Sequence, residues 1–275
     1  MDLHEWHMPA KAPHGTVALV HGAGEHCGRY DHVARWLNHA GYSVLGHDLP
    51  GLGRSPGRRG HIDRFEDYLP AVDGMLNRLQ TLYPELPRFL YGHSMGGLVV
   101  VRWLQLRPPD VTGRLAGVVL TSPCLDLSLD IPPALLRAGA VLEHVWPTMR
   151  QSSRIPAEAV SRSADVVRAY ASDPLVLHTV TVRWAMELQR AMRAARNGSA
   201  AFRTPTLILQ AGADKLVSPT ATREFAARLD APLKEYREFD GCYHELHNEP
   251  EQGEVLAVIA TFLDRVVTAT GSPSL

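Results

Sequence analysis

The chain has 275 residues, 45% of them hydrophobic, with 28 basic side chains against 29 acidic ones and a formal net charge of −1. That length and apolar content are enough for one large core domain, and the near-zero charge supplies no basic field for nucleic acid or an anionic membrane, so no nucleic-acid partner is expected. Three scattered cysteines, Cys27, Cys124 and Cys242, are too few for a disulfide framework or a zinc knuckle and read as free thiols of a reducing compartment.

The amino terminus, MDLHEWHMPAKAPHG, lacks the charged start and apolar run of a signal peptide, and no stretch is long enough to span a bilayer. A soluble, cytoplasmic protein is expected. Short apolar runs rich in β-branched residues follow: TVALVHG from Thr16, YSVLGHD from Tyr42, PRFLYGH from Pro87, LAGVVLTSP from Leu115 and PTLILQAGAD from Pro205. Stretches with helical spacing separate them, which is the pattern of a mostly parallel α/β sheet covered on both faces. One interval breaks the alternation. Between Leu125 and Phe202 the spacing is helical with no strand, where a simple crossover needs only about 12 residues. The expectation is therefore an inserted helical cap, residues 125–202, on a core made of residues 1–124 and 203–275. Within it Ile131, Leu135, Leu142 and Trp146 fall at helical spacing, and Trp184, Leu188 and Met192 repeat at intervals of four. Each could pack the cap onto the sheet or line an apolar tunnel. The last strand-like run, LKEYREF, precedes a helix expected from about Glu249 to Val267.

Gly92-His93-Ser94-Met95-Gly96 has the G-x-S-x-G form and stands between a buried-strand run, Phe89 to Tyr91, and a helical run, Met95 to Leu106. A sharp strand-to-helix turn strains the central residue and leaves the serine oxygen exposed at the top of the sheet, with glycines making room for crossing chain segments. Serine is a weak nucleophile, so a base and a group that orients the base must follow. In this arrangement the order is serine, acid, histidine. Asp214 ends the run TLILQAGAD at the carboxyl edge of the sheet, where open parallel sheets place their chemistry; its alternative reading is the cap of the helix starting near Pro219. Asp240 in EFDGCYH ranks below it, being only four residues before the candidate histidine. Among fourteen histidines, His244 and His247 occupy the loop before the last helix, and spacing alone does not separate them. An attacked carbonyl also needs oxyanion donors, for which the candidates are the N–H of Met95 and the N–H of Ala23 in HGAGEH. Neither G-K-S/T nor G-x-G-x-x-G follows that loop, which speaks against a phosphate cradle. No cofactor and no metal is called for.

HGAGEHCGRY (His21 to Tyr30), HDLPGLGRS (His47 to Ser55), YGHSMGG (Tyr91 to Gly97), YASDPL (Tyr170 to Leu175) and YHELHNE (Tyr243 to Glu249) together resemble the monoacylglycerol lipase and lysophospholipase group of the α/β-hydrolase fold, among the serine aminopeptidase S33-like hydrolases. The resemblance spans nearly the whole chain. It implies a triad of Ser94, Asp214 and His244, oxyanion donors at Ala23 and Met95, and an alcohol pocket lined by Glu25, Arg29 and His247, with Tyr170 a weaker match nearby. Trp184 is expected in the acyl tunnel. The implied activity is hydrolysis of a small-molecule lipid ester, a monoacylglycerol, through an acyl-enzyme; a lysophospholipase or a generic carboxylesterase would use the same triad. A non-catalytic ligand-binding protein of this fold would be expected to lack a triad member. Departures are Leu52 where the group has histidine, Cys27 where serine is common, and a short amino terminus that implies a missing first strand. Several arginines and no lysine in the cap fit a transient membrane-surface contact through lipid headgroups.

Overall fold

In the computed structural model, which describes residues 2–129 and 131–271, period-two alternation builds a sheet with a core on each side. Along β2 (Gly15–Val20) every residue is buried; Ala18 and Val20 face one core, Val17 and Leu19 the other. The remaining strands of this sheet are β1 (Glu5–Met8), β3 (Tyr42–His47), β4 (Arg88–His93), β5 (Gly117–Thr121), β8 (Thr206–Ala211) and β9 (Lys234–Phe239). Among the described residues they form a seven-stranded sheet in the order β1-β3-β2-β4-β5-β8-β9, parallel throughout except for the antiparallel edge pair β1 and β3. Sequence periodicity does not show β1, because EWHM is four residues long and lies half-exposed on the sheet edge.

Helices cover both faces. On the Val17 side lie α1 (Asp31–His39) and α9 (Gln252–Gly271), which bury Val33 and Leu37, and Ile259 and Phe262. On the other side α2 (Leu69–Leu82), α3 (Met95–Leu106) and α8 (Pro219–Arg228) bury Val72 and Met75, Leu98 to Val101 with Trp103, and Phe225. A single turn, α4 (Pro109–Thr112), follows α3. Since β3 lies to one side of β2 and β4 to the other, the strand order reverses between β2 and β4. A crevice opens at their carboxyl ends, where such sheets bind ligands.

Between β5 and β8 the chain makes α5 (Pro133–Val145), α6 (Ala164–Ser172) and α7 (Val182–Asn197), with α7 packed on α3 and α5. It also makes a small antiparallel ribbon of β6 (Arg150–Ser152) and β7 (Thr179–Thr181). That corrects the expectation of a strand-free insertion: three-residue strands such as RQS carry too little alternation to register as a pattern. Residues 1, 130 and 272–275, which the expected core and cap boundaries include, lie outside the described residues.

Candidate active site

Ser94 stands at the turn from β4 into α3 with φ 53° and ψ −120°, a left-handed conformation that a non-glycine residue adopts only when its surroundings force it. They do: its N–H donates to Thr121 O at 3.0 Å, and its carbonyl accepts from Leu98 N at 3.1 Å and Cys124 N at 2.9 Å. Gly96 must be glycine because a Cβ there would collide with the carbonyl oxygen of Val20 on the neighbouring strand. The first-turn N–H of Met95 has no intrahelical acceptor.

The serine meets its partners from two other loops. Ser94 Oγ lies 2.8 Å from His244 Nε2, and His244 Nδ1 lies 2.8 Å from Asp214 Oδ2. A carboxylate only accepts, so Nδ1 carries the proton and Nε2 is the free base that accepts from the serine hydroxyl. Asp214 Oδ1 is held by the N–H groups of Leu216 (2.8 Å) and Val217 (3.0 Å), which aim Oδ2 at the histidine. Helix α8 is capped by Ser218, whose Oγ accepts from Ala221 N, so Asp214 is not spent as a cap. Asp240 is exposed. Burial alone would lower the pKa of His244, but the charge and hydrogen bond of Asp214, with Glu245 and Glu25, raise it above the ordinary histidine value. Such a relay can take a proton from Ser94 and return it to a leaving group.

Above the relay lies a cavity of about 230 Å³. Its floor includes Ala23, Glu25, Ser94, His244 and Glu245; its walls and roof are mainly apolar side chains of the β5–β8 insertion, among them Leu136, Leu142, Trp184, Ala185 and Leu188. The insertion is tied to the histidine loop. Glu249, fully buried, accepts from Ser161 Oγ (2.8 Å), from the backbone (2.6 Å) and Nε (2.5 Å) of Arg162, and from Tyr243 N (2.8 Å). Glu245 N donates to Val160 O at 2.8 Å.

A serine aminopeptidase S33 family model matches residues 11–251. A phospholipase of Bacillus subtilis, YtpA, is 37% identical over 95% of this chain and 100% of its own length. The chain belongs to the S33 family. A monoglyceride lipase of Rattus norvegicus is 32% identical to this S33 chain over 96% of it and 87% of the relative. The crystal structure of the Paleococcus ferrophilus monoacylglycerol lipase superposes with a TM-score of 0.85 at 33% identity, covering 97% of this chain and all of that one. The fold is that of the α/β-hydrolase lipases.

Within the S33 fold the other expected residues separate into two groups. Glu25, Tyr170 and Trp184 line the cavity. Arg29 stands behind them, pairing with Glu25, donating to both oxygens of Glu245 at 2.7 Å, and lying 4.8 Å from the centre of the Tyr170 ring. Burial would raise the Glu25 carboxyl, but Arg29 and neighbouring donors hold it at about 2. His247 is not among the lining residues: it is fully buried, stacked 4.7 Å from the Tyr30 ring, and neither ring nitrogen has a partner. Burial, with His93 and His32 nearby, holds its pKa well below the ordinary value, so it is a neutral ring. Sequence reasoning missed Glu245 and Glu249, although both stand in YHELHNE; a buried glutamate is legible there only once its arginine is known. Two groups with metal-ligand residue types, His21 with Cys27 and Asp48, and Cys242 with Glu249 and Glu251, are tied up by the chain: His21 bonds Gly22 O and Leu49 N, Asp48 bonds Cys27 N, and Arg162 pairs with both glutamates.

Proposed function

We propose that this chain is a serine hydrolase that cleaves the acyl ester of a monoacylglycerol to a free fatty acid and glycerol. The observation that carries the reading is the Ser94–His244–Asp214 relay, 2.8 Å at each step, at the foot of an apolar cavity. Ser94 Oγ attacks the ester carbonyl as His244 Nε2 takes its proton, and the N–H groups of Ala23 and Met95 receive the oxyanion. His244 then gives the proton to the departing glycerol oxygen, leaving Ser94 acylated. Water, deprotonated by the same nitrogen, attacks the acyl-enzyme and frees the fatty acid. Asp214 keeps the imidazole in the reactive tautomer.

Residues 125–202 act in this reading as a cap on a core of residues 1–124 and 203–275. The acyl chain lies against Trp184 and its neighbours, and the alcohol lies toward Glu25 and Tyr170, backed by Arg29; His247 supports that wall from behind through Tyr30. Exposed Val141, Val145 and Trp146 at the end of α5 give the cap an apolar corner for transient contact with a lipid surface. A phospholipid or lysophospholipid ester is the second reading, favoured by the 37% identity to a phospholipase. Hydrolysis of 1-oleoylglycerol beside oleoyl lysophosphatidylcholine and p-nitrophenyl butyrate tests the assignment. The monoacylglycerol should give the highest kcat/KM of the two lipids; a higher value for the lysophospholipid would reverse the two readings.

A further inference from the structure

The alcohol side of the cavity holds more negative charge than positive. Glu25 and Glu245 both line it and both are buried, at 3% exposure each. A single guanidinium, Arg29, serves the two carboxylates. The neighbouring histidines do not make up the difference: burial and the adjacent His244 push His93 down to about 3, and burial lowers His21 as well, leaving both rings neutral at pH 7. Tyr30 donates its hydroxyl to Glu25 at 2.6 Å, and His26 is already paired with Asp173 at 2.9 Å. Arg154 also lines the cavity, but from an exposed loop of the insertion, where water and salt screen it. The surplus charge is close to the chemistry. The position a Gly22 Cβ would occupy lies 2.6 Å from Glu25 Oε1 and 3.3 Å from Ser94 Cβ.

We propose that this carboxylate pair, with Glu245 supplying the charge that Arg29 cannot neutralise twice over, selects the leaving alcohol by its charge: neutral and cationic alcohols are accepted and phosphate-bearing glycerol is refused. The proposal deepens the monoacylglycerol reading and rests on it. Like unit charges about 6 Å apart at an effective dielectric near 20 repel by enough to lower kcat/KM about a hundredfold. Glu245 is a specificity-determining residue here, legible only from its bidentate hold on Arg29.

The test compares 1-oleoylglycerol, its 3-phosphate and p-nitrophenyl oleate in micelles of an uncharged detergent, with the wild-type protein and Glu245→Gln. The wild type should prefer the neutral glyceride over its phosphate by about a hundredfold, and the variant should narrow that ratio at least tenfold. Hydrolysis of both by the wild type within about threefold, or a ratio unchanged in the variant, overturns the proposal. Because Glu245→Gln removes a buried ion-pair partner and could fail to fold, a second measurement uses the wild type alone. Choline oleate and its uncharged isostere, 3,3-dimethylbutyl oleate, are compared after division by their hydroxide-catalysed rates. Choline should be favoured at least tenfold, and equal rates overturn charge selection. Turnover of p-nitrophenyl oleate without turnover of 1-oleoylglycerol would sink the monoacylglycerol reading instead, and the choline pair would still decide the charge claim.

Discussion

In the proposed reaction His244 works only as a neutral base, so its protonation sets the acid limb. Asp214, Glu245 and Glu25 raise its pKa, and a raised pKa means that activity is lost earlier as pH falls. The pH profile of kcat/KM on a neutral ester should rise through one ionisation above about 6.5, the ordinary histidine value. An inflection below that value, or a flat profile down to pH 4, would contradict the assignment. At this scale the sequence was informative where a motif forces geometry. The strained φ of Ser94 follows from G-x-S-x-G between a strand and a helix, and the serine-acid-histidine order leads to Asp214 once α8 is seen to have its own cap in Ser218. It was uninformative where two residues differ only in which way they face. His244 and His247 share one loop, yet one points at Ser94 and the other lies behind Tyr30 with both nitrogens unpartnered. A spacing of three residues does not encode that difference.

Among elements, the insertion supplies most of the apolar lining above the serine and, in the proposed function, decides what reaches it. Trp184 at the start of α7 lines the cavity, but it also donates its indole N–H to Tyr68 Oη at 2.8 Å and is part of the core. Replacing it with alanine would therefore cost about 3–5 kcal/mol of stability along with any change in selectivity. Ala185, half-buried on the cavity wall, is the cleaner probe. Ala185→Trp should lower kcat/KM for oleoyl esters by about tenfold or more and leave butyryl esters within about twofold, because only long chains reach that wall. Equal losses on both would place Ala185 outside the acyl path. The core strands were legible as apolar runs bounded by turn residues, and α3 fell on its expected residues, Met95 to Leu106. The edge strand β1 and the ribbon of β6 and β7 were not, because their pairing is decided by tertiary neighbours and not by their own three or four residues. Helix α9 begins at Gln252, not Glu249, because Glu249 turns inward to hold Ser161, Arg162 and Tyr243.

At the scale of the whole molecule, a sheet that reverses its strand order between β2 and β4 brings three distant loops to one crevice, and the insertion roofs it with apolar side chains. No helix among the described residues is long and apolar enough to cross a membrane; the proposed function adds a transient contact with a lipid surface. Val145 at 79% exposure and Trp146 at 58% form the corner suited to that contact. Trp146→Glu should weaken co-sedimentation with neutral lipid vesicles and slow hydrolysis of vesicle-borne monoacylglycerol about threefold or more, leaving a water-soluble butyryl ester unaffected. Unchanged vesicle binding would remove the corner from the account. The central claim, that Ser94 is the nucleophile for ester cleavage, is tested most directly by titrating the protein with a fluorophosphonate while following 1-oleoylglycerol hydrolysis and mapping the adduct by peptide mass. The account predicts one adduct, on the peptide containing Ser94, with hydrolysis falling in proportion to labelling. An adduct on another residue, or hydrolysis that persists when Ser94 is fully labelled, would contradict it.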